Sequence, residues 1–112
     1  MSDIPLYQKH CVPCEGNVPK FSTPNNLEHL KRINEWHLNE DISIEKILLF
    51  KDFAQAIQFI NKVAEIAEQE NHHPDILLFG WNKIKLSLTT HAIGGLSDND
   101  YILASKIDQI IL

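Results

Sequence analysis

Residues 52–89 read DFAQAIQFINKVAEIAEQENHHPDILLFGWNKIKLSLT, and they carry a helix, a stop signal and a strand pair in succession. Asp52 followed by Gln55 resembles a capping box. Phe53, Ala56, Ile57, Ile60, Val63, Ala64 and Ala67 form one apolar stripe, while Glu65, Glu68, Gln69 and Glu70 take other positions. This spacing predicts an amphipathic helix from Phe53 to about Asn71. Pro74 cannot continue it and pushes His73 away from helical geometry, so the helix ends around His72-His73. Ile76 to Phe79 is a short apolar run, with Gly80 after it as a turn or bulge. From Lys83 to Thr89 apolar and polar residues alternate strictly, the pattern of a half-buried strand. Ile84, Leu86 and Leu88 share one face; Lys83, Lys85, Ser87, Thr89 and, if the strand continues, His91 share the other.

Upstream, isoleucine-rich Ile42 to Phe50 reads as a strand pairing back, through the turn-like Asn39-Glu40-Asp41, on alternating Trp36-His37-Leu38. Thr23-Pro24 reads as an N-cap with proline in the first turn of a short helix over about 24–34, carrying Leu27, Leu30 and Ile33. Downstream, Gly94-Gly95 breaks the strand. Ser97-x-x-Asp100 caps a final helix whose buried face is Leu103, Ala104, Ile107, Ile110 and Ile111. After the leading helix the order is ββαββα. That order implies an α+β fold: an antiparallel four-stranded sheet with helices packed on one face. Residues 1–23, punctuated by Pro5, Pro13, Gly16 and Pro19, read as an irregular N-terminal segment, and residues 24–112 as a single domain.

Length and charge narrow the function. A chain of 112 residues has room for one domain with its own core. No apolar run approaches the roughly 18 residues of a membrane span, and MSDIPLYQKH lacks the features of a signal peptide. The expectation is a soluble, cytoplasmic protein without a membrane partner. Net charge is −5, with Arg32 the only arginine and no cluster of lysines, which disfavours direct nucleic-acid binding. The two cysteines form Cys11-Val-Pro-Cys14. One such pair, even with His10, falls short of the four ligands of a structural zinc site. Its Pro- and Gly-containing context differs from that of a redox motif opening a helix, so the thiols read as reduced, in a loop over the domain.

Six histidines are present, and three of them fall together at element ends: His72 and His73 past the helix, His91 past the strand. Imidazole donates or accepts a proton near neutrality without a large pKa shift. Glu68 stands four residues before His72 and could orient that ring. Composition alone leaves three readings open: proton-transfer catalysis, histidines that cap the helix end, and a metal site. His10, His29 and His37 read as surface residues, Asp100 as a helix cap and Trp81 as core or pocket wall.

The ordered set Glu68-x-x-x-His72-His73-Pro74, Trp81, Thr90-His91, Gly95-Leu96-Ser97 and Asp100, with Phe50-Lys51-Asp52-Phe53-Ala54 at the helix entry, resembles the pterin-4a-carbinolamine dehydratase family over residues 36–112. One departure is that six residues separate Pro74 from Trp81 where many relatives have five. The Cys11-x-x-Cys14 segment resembles that of bacterial-type members. The resemblance implies an antiparallel sheet with helices on one face and a dehydratase needing neither cofactor nor metal. Its substrate would be a 4a-hydroxytetrahydropterin made by an aromatic amino-acid hydroxylase. Loss of water across C4a and N5 would give the quinonoid dihydropterin for recycling to tetrahydrobiopterin. Carried over by position, His72, His73 and His91 would be the active-site histidines. Glu68, Asn71, Thr89, Thr90 and Ala92 would complete the pterin-binding set. His72 and His91 are expected to move protons and His73 to position the pterin. The family also implies a homodimer or homotetramer. It further supplies an alternative, a protein-binding module resembling a dimerisation cofactor, without a catalytic role.

Overall fold

The computed structural model describes residues 4–13 and 18–111. Three helices and four strands follow in the order α1 (Thr23–Leu30), β1 (His37–Asn39), β2 (Ser43–Leu49), α2 (Phe53–Glu70), β3 (Asp75–Phe79), β4 (Lys83–Leu88) and α3 (Asp98–Ile111). The strands make one antiparallel sheet in the order β1-β2-β4-β3. The expected α+β architecture and the ββαββα succession hold. The turn expected at Asn39-Glu40-Asp41 folds β1 back on β2, pairing Leu38 with Ile44. Gly80 turns β3 into β4, and both Gly80 and Trp81 take positive φ there.

The core lies between the sheet and the helices. Ile44, Ile84, Leu86 and Leu88 supply its strand side; Ala56, Phe59, Val63, Leu103, Ala104 and Ile107 supply its helix side. Lys46 faces the same way and is buried. Its ammonium donates to Asp108 Oδ1 at 2.9 Å, and that oxygen also accepts from Trp36 Nε1 at 2.9 Å. The buried pair ties β2 to α3, since a charge there is tolerated only with a partner and further hydrogen bonds.

Several local expectations shift. In α2 the buried line is Ala56, Phe59, Val63 and Ala67, whereas Phe53 and Ile57 are exposed and Ala64 points outward. The apolar residues span more than one face, and the sheet selects the face centred on Phe59. The Asp52 cap holds: its carboxylate accepts from Gln55 N–H at 2.8 Å. Helix α1 starts one residue earlier than expected, with Ser22 as N-cap, and ends at Leu30. Strand β4 stops at Leu88, so His91 belongs to a short 3-10 turn, His91–Ile93, closed by Gly94 at φ 65°. In α3 Ile111 is exposed, but Tyr101 and Ile102 are buried. The helix is covered on further sides: the 3-10 turn Leu6–Gln8 lies along it with Leu6 in the core, and Phe21 stacks 5.7 Å from Tyr101. Burial first, then the charges of Asp100 and Asp41, push the Tyr101 phenol well above its ordinary pKa. It remains a donor, bonded to Asn26 Oδ1 at 2.8 Å.

Candidate active site

The site forms where the ends of α2 and β4 meet the start of α3. Asn71 ends α2 in the left-handed conformation, φ 52° and ψ 40°. Asparagine tolerates that conformation better than most residues. The chain therefore leaves the helical path at Asn71, and His72 turns inward while His73 stays outside: His72 is buried, His73 exposed. On the opposite side, Thr90 makes an isolated bridge to Gly95, which loops residues 91–94 out and lifts His91 to the rim.

Asn71, His72, His73, Thr89, Thr90, His91 and Ala92 together line an open concavity of about 350 Å³. Every residue of the expected pterin-binding set lines it except Glu68. That carboxylate sits behind His73: His73 Nε2 lies 2.5 Å from Glu68 Oε2. Glu68 thus orients His73 and not His72, a correction that follows from the left-handed turn at Asn71.

The partner of His72 is Asp100, 28 residues on, with Nε2 to Oδ1 at 2.6 Å. Asp100 has no exposed surface. Its other oxygen, Oδ2, accepts from the Thr90 hydroxyl at 2.7 Å and from Ser97 N–H at 3.0 Å. The Thr90 and Ser97 hydroxyls are themselves 2.8 Å apart. Asp100 therefore caps the helix as expected and also grips an active-site candidate. The start of α3 suits the role, because a helix N-terminus favours negative charge. A carboxylate can only accept, so the hydrogen in the His72 bond lies on Nε2; the neutral ring then carries its basic lone pair on Nδ1. By the same logic Glu68 places a hydrogen on His73 Nε2. Among the described residues the His91 ring makes no hydrogen bond. This trio can present an imidazole backed by a buried carboxylate beside an exposed imidazole, a pairing suited to taking a proton and giving one.

The remaining candidates lie elsewhere. Trp81 is 61% exposed at the β3–β4 turn, neither core nor pocket wall. His10 and His37 are exposed as expected. His29 is not a free surface residue: its ring packs 4.6 Å from Phe21 and 5.4 Å from Tyr101. Cys11 is half-buried with its thiol 3.5 Å from the Asn99 carbonyl, while Cys14 lies outside the described residues. Among the described residues no group of His, Cys, Asp and Glu is arranged to hold a metal ion. None of their helices is long and apolar enough to cross a membrane.

Known proteins share the sequence pattern and the fold of this chain. The family model for pterin 4 alpha carbinolamine dehydratase matches residues 19–110. A Rubrobacter xylanophilus protein bearing the pterin-4-alpha-carbinolamine dehydratase name is 39% identical over 94% of this chain and 97% of its own. A Rickettsia bellii protein of the same name is 44% identical over 94% and 93%. The mitochondrial pterin-4-alpha-carbinolamine dehydratase 2 of Arabidopsis thaliana is 39% identical over 94% of this chain, which spans 58% of that longer protein. Among solved structures, a transcriptional coactivator/pterin dehydratase from Brucella melitensis superposes with a TM-score of 0.76 at 27% identity, covering 82% of this chain and 98% of that one. Matched nearly end to end by its bacterial relatives, the chain belongs to the pterin-4a-carbinolamine dehydratase family and is, with that family, an enzyme of the hydro-lyase class.

Proposed function

We propose that the concavity between Asn71 and Ala92 binds a 4a-hydroxytetrahydropterin and that the histidines lining it expel its hydroxyl as water. The observation that carries this reading is the convergence of His72, His73 and His91 on one concavity, with His72 held by the fully buried Asp100. The reaction breaks the C4a–O bond and the N5–H bond and forms a C4a–N5 double bond, with no change of oxidation state. His72 takes the N5 proton. Asp100 steadies the imidazolium that results, as a carboxylate behind a catalytic histidine does elsewhere. His91, at the solvent-facing rim, gives its proton to the departing hydroxyl and regains one from water. His73, fixed by Glu68, positions the pterin with Asn71, Thr89, Thr90 and Ala92. Such positioned transfers typically contribute ~10²–10⁴-fold each.

The product is a quinonoid dihydropterin, so the enzyme serves an aromatic amino-acid hydroxylase by returning its spent pterin for reduction. Self-association into a homodimer or homotetramer is part of the proposal. Its supports are the edge of β3, unpaired among the described residues, and the exposed Phe53 and Ile57 on the outer line of α2.

The test is decay of the 4a-carbinolamine, generated in situ by a hydroxylase, with and without the protein. The expected result is acceleration by the wild type and its loss in His72→Ala/His91→Ala. Equal turnover by that double variant would overturn the assignment of the site.

A further inference from the structure

The ends of α2 and α3 that carry His72 and Asp100 are joined a second time, by the N-terminal segment His10–Val12. Glu70 is the last residue of α2 and stands two before His72. Its Oε1 accepts Cys11 N–H at 2.7 Å, and its Oε2 lies 3.0 Å from His10 Nδ1 and 3.6 Å from Lys106 Nζ. Asn99 stands next to Asp100. Its amide accepts Val12 N–H at 3.0 Å and donates to the Val12 carbonyl at 2.8 Å, so one side chain engages both backbone groups of one residue. The Cys11 thiol adds a 3.5 Å bond to the Asn99 carbonyl.

Both anchors run against local preference. A carboxylate at a helix C-terminus faces the negative end of the helix dipole. The Glu70 side chain is also only 5% exposed, where a charge needs compensation. Asn99, 1% exposed, is a buried amide that an apolar residue could replace if packing were its only task. Such departures from local rules concentrate at functional sites.

We propose that His10–Val12 forms a bracket across the ends of α2 and α3, with Glu70 and Asn99 as positioning residues that hold His72 and Asp100 within hydrogen-bond reach. Its catalytic meaning rests on the dehydratase reading; its structural content does not. A 2.6 Å contact between groups on two separate elements holds only while their separation is fixed, and small misplacements of reacting groups cost rate steeply. The bracket supplies a connection independent of the His72–Asp100 bond.

Two variants of the full chain probe it separately. Val12→Pro removes the N–H that Asn99 accepts, at a position whose side chain is exposed, with Val12→Ala as the conservative control that keeps the N–H. Asn99→Asp keeps the acceptor for Val12 N–H and loses the donor to its carbonyl. The readouts are solvent exchange of the His72 Nε2 proton, followed by NMR of the ring, and kcat and KM. The expected result for both bracket variants is exchange about tenfold faster than wild type. Their kcat should fall about tenfold with KM within about twofold, while Val12→Ala stays at wild-type values. Wild-type protection of the Nε2 proton in both variants would overturn the bracket, as would a lower kcat without faster exchange. A wild type that does not dehydrate the carbinolamine would end the functional reading, while the exchange comparison would still decide the bracket.

Discussion

Asp100 accepts three hydrogen bonds from three different sources: an imidazole, a hydroxyl and a backbone N–H. Asp100→Asn preserves its shape but turns one oxygen into a donor, and that nitrogen faces groups that themselves donate. The bond to His72 then no longer selects the Nε2–H form of the ring. The expected outcome is a fall in kcat on the order of 10²–10⁴-fold with KM little changed, read by steady-state kinetics. Glu68→Gln removes a carboxylate that is 76% exposed and bound to a half-exposed ring, so its effect should be only a few-fold. This contrast inverts what local spacing suggests. Counting four residues back from His72 points to Glu68 as its partner, and that count is valid only while the chain stays helical. Asn71 breaks the helix between them, and the true partner arrives from a helix far along the chain. The histidines were legible because their positions at element ends follow from Pro74 and from the strand pattern. The carboxylate behind each was not, because it depends on a backbone turn and a tertiary contact.

At the scale of elements, the alternation of Lys83–Leu88 and the stop at Pro74 were readable because each is a local constraint. The phase of the α2 stripe was not, since its apolar residues outnumber what one face can bury and the sheet makes the choice. The N-terminal segment was readable only as a loop over the domain, because its anchors, Glu70 and Asn99, carry no local signal for a strap. Glu70 offers a test of that segment by pH. Burial works to raise its carboxyl, but Cys11 N–H, the His10 ring and the Lys106 ammonium together hold it below its ordinary 4.5. A lowered folded-state pKa contributes stability that is present above the unfolded value and lost as pH falls through the folded one. Wild type should therefore exceed Glu70→Gln in stability at pH 7 by about 1.5–3 kcal/mol, the range for hydrogen bonds to a charged group. The gap should close as the pH is taken below 4.5. Denaturant titrations of both proteins from neutral to acid pH measure it, and a gap constant with pH would show that the charge of Glu70 contributes nothing.

At the scale of the whole molecule, the sheet has two edges that differ in kind. Strand β1 is three residues long and ends in a turn where Glu40 and Asp41 both take positive φ, which blunts that edge. Strand β3 has five residues, and after Asp75 at its start the run Ile76–Phe79 carries no charge or proline to protect an exposed edge. On the face away from the helices it presents Leu77, 54% exposed, and Phe79, continuing a row that reaches across Lys85 to Ile47. A second copy can pair antiparallel along β3 about a two-fold axis at Leu77. That sets the two Leu77 side chains together and Asp75 against Phe79 of the other copy, the self-complementary contact such symmetry requires. Light scattering after size exclusion should then give a mass that is a multiple of 12.9 kDa. Leu77→Lys, placing like charges at the axis, should shift the protein toward monomer, whereas Ile47→Lys, on the same face but away from the edge, should not. A monomeric wild type at tens of micromolar, or equal dissociation by both substitutions, would show that β3 is not the contact and turn attention to the exposed line of α2 at Phe53 and Ile57.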